Sequence, residues 1–458
     1  MASMHATVSQ EGVPRRSRVI ASLAAAFIVA AASGALAADV PAPTAAATHR
    51  TAGQVADSLF AALRARDYGA AFRLFNATMQ ASVSEAKLRT LWEEQIAQLG
   101  AFQSWQQQAG DPGRGYEVRL ASLHFERGEL KAMVAVDPLP GQVAGFFIRP
   151  SSRPATGHPA YADTTRFREL PVTVGSDPLG LPGTLTMPVG SGPFPAAVLV
   201  HGSGPQDKDE TIGANKVFRD IAEGLASRGV AVLRYDKRSL RYPEALKDNP
   251  TIDAEVILDA VSAVKLLQAR PEIDPKRVFV MGHSLGAGLA PEIAARAGSV
   301  AGVALLAPPG RKPWDIVVAQ MRYLGAPDSS VADAERAAAL LRSGTATGGS
   351  MKLVGVPLSY WQEWGRRDGP AQARKLARPV LVVHGERDFQ VVDEDIAIWK
   401  KGLAGMPNVR FLSLPGLNHL FIDGTGKPGP AEYETPGHVD ARVIDALATF
   451  AAPAVPTR

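Results

Sequence analysis

A chain of 458 residues, 46% hydrophobic and 21% charged, has the balance of a folded protein and the length for two units, which excludes disordered, collagen-like and coiled-coil classes. The formal charge of +4 falls to +2 once the first 37 residues are set aside, since Arg15, Arg16 and Arg18 face only Glu11 there, and so balanced a remainder offers no electrostatic footprint for nucleic acid. With no cysteine, disulfides, a Cys nucleophile, thiolate metal sites and a lipid-modified Cys are excluded.

The first element is a signal peptide over residues 1–37. A basic stretch (Arg15-Arg16-Ser17-Arg18) precedes an apolar run from Val19 to Ala32 and a small-residue exit at Ala35-Leu36-Ala37, so cleavage is predicted after Ala37. The run is shorter than the roughly 20 residues that span a bilayer, so no stable membrane anchor is expected after cleavage and the mature chain is expected in the periplasm or secreted. The paired arginines also fit a twin-arginine signal, which leaves the export route open. Ala38 to Thr48, rich in Ala and Pro, reads as an unstructured lead-in.

From Thr51 to Gly100 apolar residues recur at helical spacing (Val55, Leu59, Phe60, Leu63; Ala71, Leu74, Phe75; Leu88, Leu91, Trp92, Ile96, Leu99), which predicts three amphipathic helices. Alternation over Tyr116–Phe125, Leu130–Val136 and Val143–Ile148 then predicts strands, with Pro138 to Gly141 as a turn. This α-then-β unit, 51–150, carries Arg66-Asp67-Tyr68, a Leu-rich third helix ending at Gly100, and Gly145-Phe146-Phe147. On those features it resembles the small NTF2-like α+β domain that precedes some bacterial hydrolases. His124 in its alternating strand reads as structural.

Residues 151–165, with Pro154, Gly157 and Pro159, read as a linker. A second domain, 166–452, opens on a stretch without a clear period. Continuous apolar strands (Ala196–Val200, Val230–Tyr235, Val278–Met281, Val300–Leu306, Pro379–Val383, Val409–Leu414) then alternate with helices (Val217–Ser227, Asp253–Ala269, Leu285–Arg296). That alternation predicts an α/β fold with a mostly parallel sheet covered on both faces. The stretch 308–377, about 70 residues between two core strands, is too long for a simple connection and reads as a helical cap. Its Trp314, Met321, Tyr323, Leu324, Tyr360, Trp361 and Trp364 either line an apolar acyl pocket or pack a helical core.

Gly282-His283-Ser284-Leu285-Gly286 supplies the chemistry. Strand Val278–Met281 runs into this Gly-x-Ser-x-Gly, and a helix starts at Leu285, which is the strand, tight turn and helix of a nucleophile elbow. Ser284 then sits at a helix N-terminus, where developing negative charge is favoured. A serine hydroxyl needs a base, and the base an orienting carboxylate. Pro379–Val383 runs through His384-Gly385-Glu386-Arg387 to Asp388, the expected acid, with Glu386, Asp393 and Asp395 as rivals. Val409–Leu414 leads into Pro415-Gly416-Leu417-Asn418 and His419, the expected base, with His438 weaker because it opens a helix. No cofactor and no metal are expected.

These segments, together with the strand Ala197–Val200 entering His201-Gly202-Ser203-Gly204-Pro205, resemble the α/β-hydrolase superfamily. The run His201 to Glu210 and Arg234-Tyr235-Asp236-Lys237-Arg238 resemble a bacterial carboxylesterase-like group with an N-terminal domain. The resemblance implies hydrolysis of a small-molecule ester through an acyl-enzyme, with the backbone N–H groups of Ser203 and Leu285 as oxyanion donors and Gly202 as the alternative donor. His201 is expected to brace the loop. Asp236, Lys237 and Arg238 are either a buried ion-pair cluster or a solvated turn, and Ser239-Leu240-Arg241 stands where relatives carry a Gly-rich turn. Peptidase, thioesterase and lactonase chemistry, or a non-catalytic ligand-binding role, are the competing functions.

Overall fold

The computed structural model describes residues 50–110, 116–139, 141–150, 157–176, 178–246, 249–345 and 351–452. The expected signal peptide over 1–37 and the start of the expected linker lie outside them.

Four helices, not three, come first: α1 (Ala52–Arg64), α2 (Tyr68–Arg73), α3 (Ala77–Ser82) and α4 (Glu85–Leu99). A Thr51–Gln54 capping box starts α1, and Asn76 stops the expected second helix by accepting the N–H of Met79 and capping α3 instead. An antiparallel sheet follows in the order β1 (Phe102–Ala109), β2 (Glu117–Phe125), β3 (Gly128–Asp137), β4 (Gln142–Pro150). The strand absent from the sequence reading is β1: of its residues only Phe102 is buried, so Gln106-Gln107-Gln108 leave no apolar alternation to detect. Val55, Leu59, Phe60, Leu63, Trp92 and Leu123 form a core separate from that of the rest of the chain.

The larger sheet opens on an antiparallel pair, β5 (Phe167–Val174) and β6 (Leu181–Pro188), in the stretch without a period. Then come β7 (Phe194–Val200), a short hairpin of β8 (Thr211–Ile212) and β9 (Asn215–Lys216), α5 (Val217–Ala226), β10 (Ala231–Tyr235) and α6 (Arg238–Arg241). A π-type turn at Asp253–Ile257 precedes α7 (Leu258–Gln268), followed by β11 (Ile273–His283), α8 (Leu285–Ala297) and β12 (Gly302–Leu306). Between β12 and β15 lie α9 (Pro313–Tyr323), α10 (Asp328–Ser343), the hairpin β13 (Lys352–Leu353) and β14 (Val356–Pro357), α11 (Leu358–Gly365) and α12 (Gly369–Leu376). The chain closes with β15 (Val380–Gly385), α13 (Asp393–Gly402), β16 (Val409–Leu414) and α14 (Ala441–Ala451).

The strand order is β16-β15-β12-β11-β7-β10-β6-β5, parallel from β16 to β10 and antiparallel at the β6 and β5 edge. Val198, Leu199, Val232, Val280, Val303 and Val382 are buried, as strands covered on both faces require. Parallel pairing lines up the carboxyl ends of β7, β11, β15 and β16 along one edge, and residues that leave those ends converge. Among the described residues no helix is long and apolar enough to cross a membrane.

Candidate active site

Ser284 is the hinge between β11 and α8, with φ 51° and ψ −117°, a region that few residues other than glycine adopt. The Ser284 N–H donates to the Leu306 carbonyl at 2.9 Å, which ties the turn to β12. A Cβ at Gly282 would collide with the Gly286 carbonyl, and one at Gly286 with the carbonyl oxygens of Val200 and His201. Both glycines are therefore required by backbone packing. Leu285 is the first residue of α8, where a helical N–H has no acceptor within its own helix.

His419 and Asp388 meet in the interior, with Nδ1 of His419 2.6 Å from Oδ2 of Asp388 and both residues buried. The other carboxylate oxygen accepts the N–H groups of Gln390 and Val391 at 2.8 and 3.0 Å, which fixes the aim of Asp388. The rival carboxylates lie elsewhere: Glu386 and Asp393 are exposed, while Asp395 is spent on Arg311 and on the N–H groups of Gly310, Arg311 and Val392. His438 pairs with Asp220 on α5 at 3.1 Å. His419 sits against the elbow, its ring 4.7 Å from that of His283 and its carbonyl 3.0 Å from His283 Nε2.

The loop after β7 runs beside Ser284: a Cβ on Gly202 would stand 3.3 Å from Ser284 Cβ. Gly202 is a correction to the sequence reading, because its N–H donates to Glu210 Oε1 at 2.7 Å and is not free to bind an oxyanion. The Gly202 carbonyl accepts from Lys237 Nζ at 2.8 Å, and the Gly204 carbonyl at 3.0 Å. In a trans peptide the C=O and N–H point in opposite directions, so Lys237 turns the Ser203 N–H away from itself. That N–H meets no acceptor among the described residues. His201 braces the loop through Nε2 at 3.0 Å from the Asp207 carbonyl, and burial pushes its pKa down to about 4, so it is neutral at physiological pH.

The Asp236-Lys237-Arg238 run is a cluster, not a solvated turn. Lys237 is buried against Glu255 at 2.8 Å, Arg238 holds Asp259 with two hydrogen bonds, and Asp236 accepts the Lys208 N–H at 3.0 Å. Buried Arg234 pairs with Asp209 and Glu169.

Two residues received no role from the sequence. His283 Nδ1 lies 3.0 Å from Glu210 Oε2, an ion-pair contact lying off the ring's hydrogen-bonding direction, and both side chains are fully buried. Burial opposes charge on His283, but the Glu210 carboxylate outweighs it and holds the imidazole above its ordinary range, while His283 in turn holds Glu210 below the usual carboxylate range despite burial. At Nε2 the geometry requires a proton, since that nitrogen faces the His419 carbonyl, which can only accept. In the sequence Glu210 ends the run His201 to Glu210 and His283 fills a variable place in the elbow pattern, and neither position shows its partner.

Of the apolar and aromatic residues expected in the cap, Trp314, Tyr360 and Trp361 belong to the main core, Met321 and Trp364 pack against it, and Tyr323 and Leu324 are exposed. Core packing thus accounts for more of the set than an acyl pocket. Tyr323 stacks on Phe389, the neighbour of Asp388, at 5.2 Å.

The sequence model of the alpha/beta hydrolase family matches residues 197–428. Esterase EstD of Thermotoga maritima is 41% identical over 391 residues, 85% of this chain and 92% of that protein. Among solved structures, an esterase from Pyrococcus furiosus is 20% identical with a TM-score of 0.42, covering 66% of this chain and 98% of that one. A puromycin-hydrolyzing peptidase from Mycobacterium tuberculosis is 18% identical with a TM-score of 0.43, covering 78% of this chain and 48% of that one. With the family pattern spanning β7 to the loop after β16, and a relative at 41% identity along nearly its whole length, the chain belongs to the alpha/beta hydrolase family.

Proposed function

We propose that the chain hydrolyses carboxylic esters of small molecules through an acyl-enzyme on Ser284, with His419 as base and Asp388 as the acid that orients it. The 2.6 Å contact between Asp388 and His419, seated against the elbow, carries this reading. Likeness to Esterase EstD supports the substrate class. His419 Nε2 takes the Ser284 proton as Oγ attacks the ester carbonyl, and the oxyanion is received by the N–H groups of Ser203 and Leu285. The alcohol leaves with the proton from His419. Water, deprotonated by the same histidine, then attacks the acyl-enzyme and releases the acid.

The α-then-β order of Ala52–Pro150 supports an NTF2-like reading of the N-terminal unit; a crystal structure in which those helices and the sheet enclose no cone would remove it. The catalytic reading is tested with short-chain nitrophenyl esters. Wild-type protein turns them over, and Ser284→Ala loses activity by a factor on the order of 10⁶. Equal turnover by the two proteins overturns the proposal.

A further inference from the structure

Lys237 has three donors and three acceptors to meet them: the carbonyls of Gly202 and Gly204 at 2.8 and 3.0 Å, and Glu255 Oε1 at 2.8 Å. Two of the three belong to the loop that presents the Ser203 N–H. The third balances the buried charge.

Glu255 is held in turn from a remote part of the chain. Tyr360, on α11, donates its hydroxyl to Glu255 Oε2 at 2.7 Å, and Ser239 donates to Oε1 at 3.1 Å. Glu255 lies in the π-type turn at the start of α7, a distortion that re-aims side chains and recurs at functional sites. Helix α11 and the residues just after it are fastened to this turn at further points, since Glu363 on the helix accepts the N–H groups of Ile252 and Asp253 at 3.3 and 3.4 Å, and Arg367, two residues past its end, pairs with Asp253 at 2.5 Å.

We infer that Lys237 is the positioning residue of the oxyanion loop, and that the chain Tyr360–Glu255–Lys237 transmits the seating of α11 to the Ser203 N–H. The inference rests on the acyl-enzyme reading above. Neither Lys237 nor Tyr360 touches the ester in this scheme; both act through the Gly202–Ser203 peptide. When α11 lifts, Glu255 loses the Tyr360 hydrogen bond, its grip on Lys237 slackens, and that peptide is free to turn. The hole is complete only with α11 in place, so the segment that covers the core also gates the chemistry.

The test compares Lys237→Met, Tyr360→Phe and the double variant in the full chain. It measures kcat and KM for a nitrophenyl ester, Ki for a trifluoromethyl ketone that forms a tetrahedral adduct on the serine, and circular dichroism as a control of fold. For Lys237→Met, kcat falls about 10²-fold with KM little changed, the loss produced by misplacing a catalytic group by about 1 Å. Ki for the ketone rises in step with the loss of kcat/KM, because both report binding of a tetrahedral oxyanion. Tyr360→Phe shows a smaller loss of the same kind, and the double variant is no worse than Lys237→Met. Wild-type kcat in folded Lys237→Met, a Ki that stays fixed while kcat falls, or losses that multiply in the double variant would each overturn the inference. Should Lys237→Met not fold, Tyr360→Phe decides: parallel changes in kcat and Ki support it, and wild-type values sink it. An active Ser284→Ala removes the underlying reading, whereas an inactive Ser284→Ala beside a fully active Lys237→Met removes this inference alone.

Discussion

His283 Nδ1 lies 3.0 Å from Oε2 of Glu210, and the two fully buried side chains join three parts of the site. Glu210 holds the Gly202 N–H at 2.7 Å, His283 is part of the elbow, and His283 Nε2 lies 3.0 Å from the carbonyl of His419. Glu210 adopts φ 46° and Ser284 φ 51°, so strained backbone sits at both ends of this connection.

Removing the Glu210 charge with Glu210→Gln keeps an acceptor for Gly202 but leaves His283 buried without a counter-charge. Breaking a buried pair from one side costs about 3–5 kcal/mol. The pH dependence follows from two opposite shifts. His283 is raised above its ordinary 6.5, so its contribution is complete below 6.5 and disappears as pH climbs through the higher folded value. Glu210 is lowered below its ordinary 4.5, so its contribution is present above 4.5 and disappears as pH falls through the lower folded value. The pair therefore stabilises the fold best between 4.5 and 6.5. The gap in Tm between wild type and Glu210→Gln should be widest near pH 5.5 and narrow toward pH 9; an equal gap at both would show that His283 is not an imidazolium.

Asp388→Asn separates orientation from packing. The amide oxygen can go on accepting from Gln390 and Val391, but the amide nitrogen then donates toward His419 Nδ1 and imposes the tautomer whose Nε2 already carries a proton. Such a histidine cannot accept the Ser284 proton. The expected loss in kcat is about 10⁴-fold with Tm nearly unchanged. A loss below about tenfold would assign the acid's role to another group.

The elements legible in the sequence were those whose signal is local. Val278–Met281 into Gly282 and Pro379–Val383 toward Asp388 are apolar runs in the sheet interior, Val409–Leu414 toward His419 is an edge strand with only Leu414 buried, and a glycine shortly after its end marks each one. β1 left no trace because only Phe102 of its residues is buried and consecutive Gln106, Gln107 and Gln108 put polar side chains on both of its faces. β5 and β6 stayed hidden because Pro171, Pro182, Gly183 and Pro188 interrupt any period; Pro171 lies on the edge strand β5, and Pro182 and Pro188 lie at the two ends of β6. The oxyanion loop is legible in the sequence, but the acceptor that occupies the Gly202 N–H is not. Glu210 is eight residues away, and it reaches Gly202 through a left-handed residue that no propensity announces. Lys237–Glu255–Tyr360 is longer in range still, and such pairings arise only once the sheet has set its order.

The elbow glycines and the helix behind them give opposite predictions for one chemical change. At Gly286 an added methyl meets the carbonyl oxygens of Val200 and His201, which are fixed in β7 and its loop and cannot swing aside. Helix α8 must then part from the sheet, at a cost of about 1–3 kcal/mol, and Ser284 shifts with it. Two positions on, at Gly288 in the same helix, the nearest atoms to an added methyl are Cγ and Cδ of Pro309 at 3.4 and 3.6 Å, an ordinary contact. There Gly288→Ala removes backbone freedom from the unfolded chain and should stabilise the helix by roughly 0.5–1 kcal/mol. Tm and kcat measured for both variants check the contrast: Gly286→Ala is expected to lower both, and Gly288→Ala to raise Tm with kcat kept. If Gly286→Ala kept wild-type values, the elbow glycine would be dispensable and the packing of α8 against β7 would not be what positions the serine.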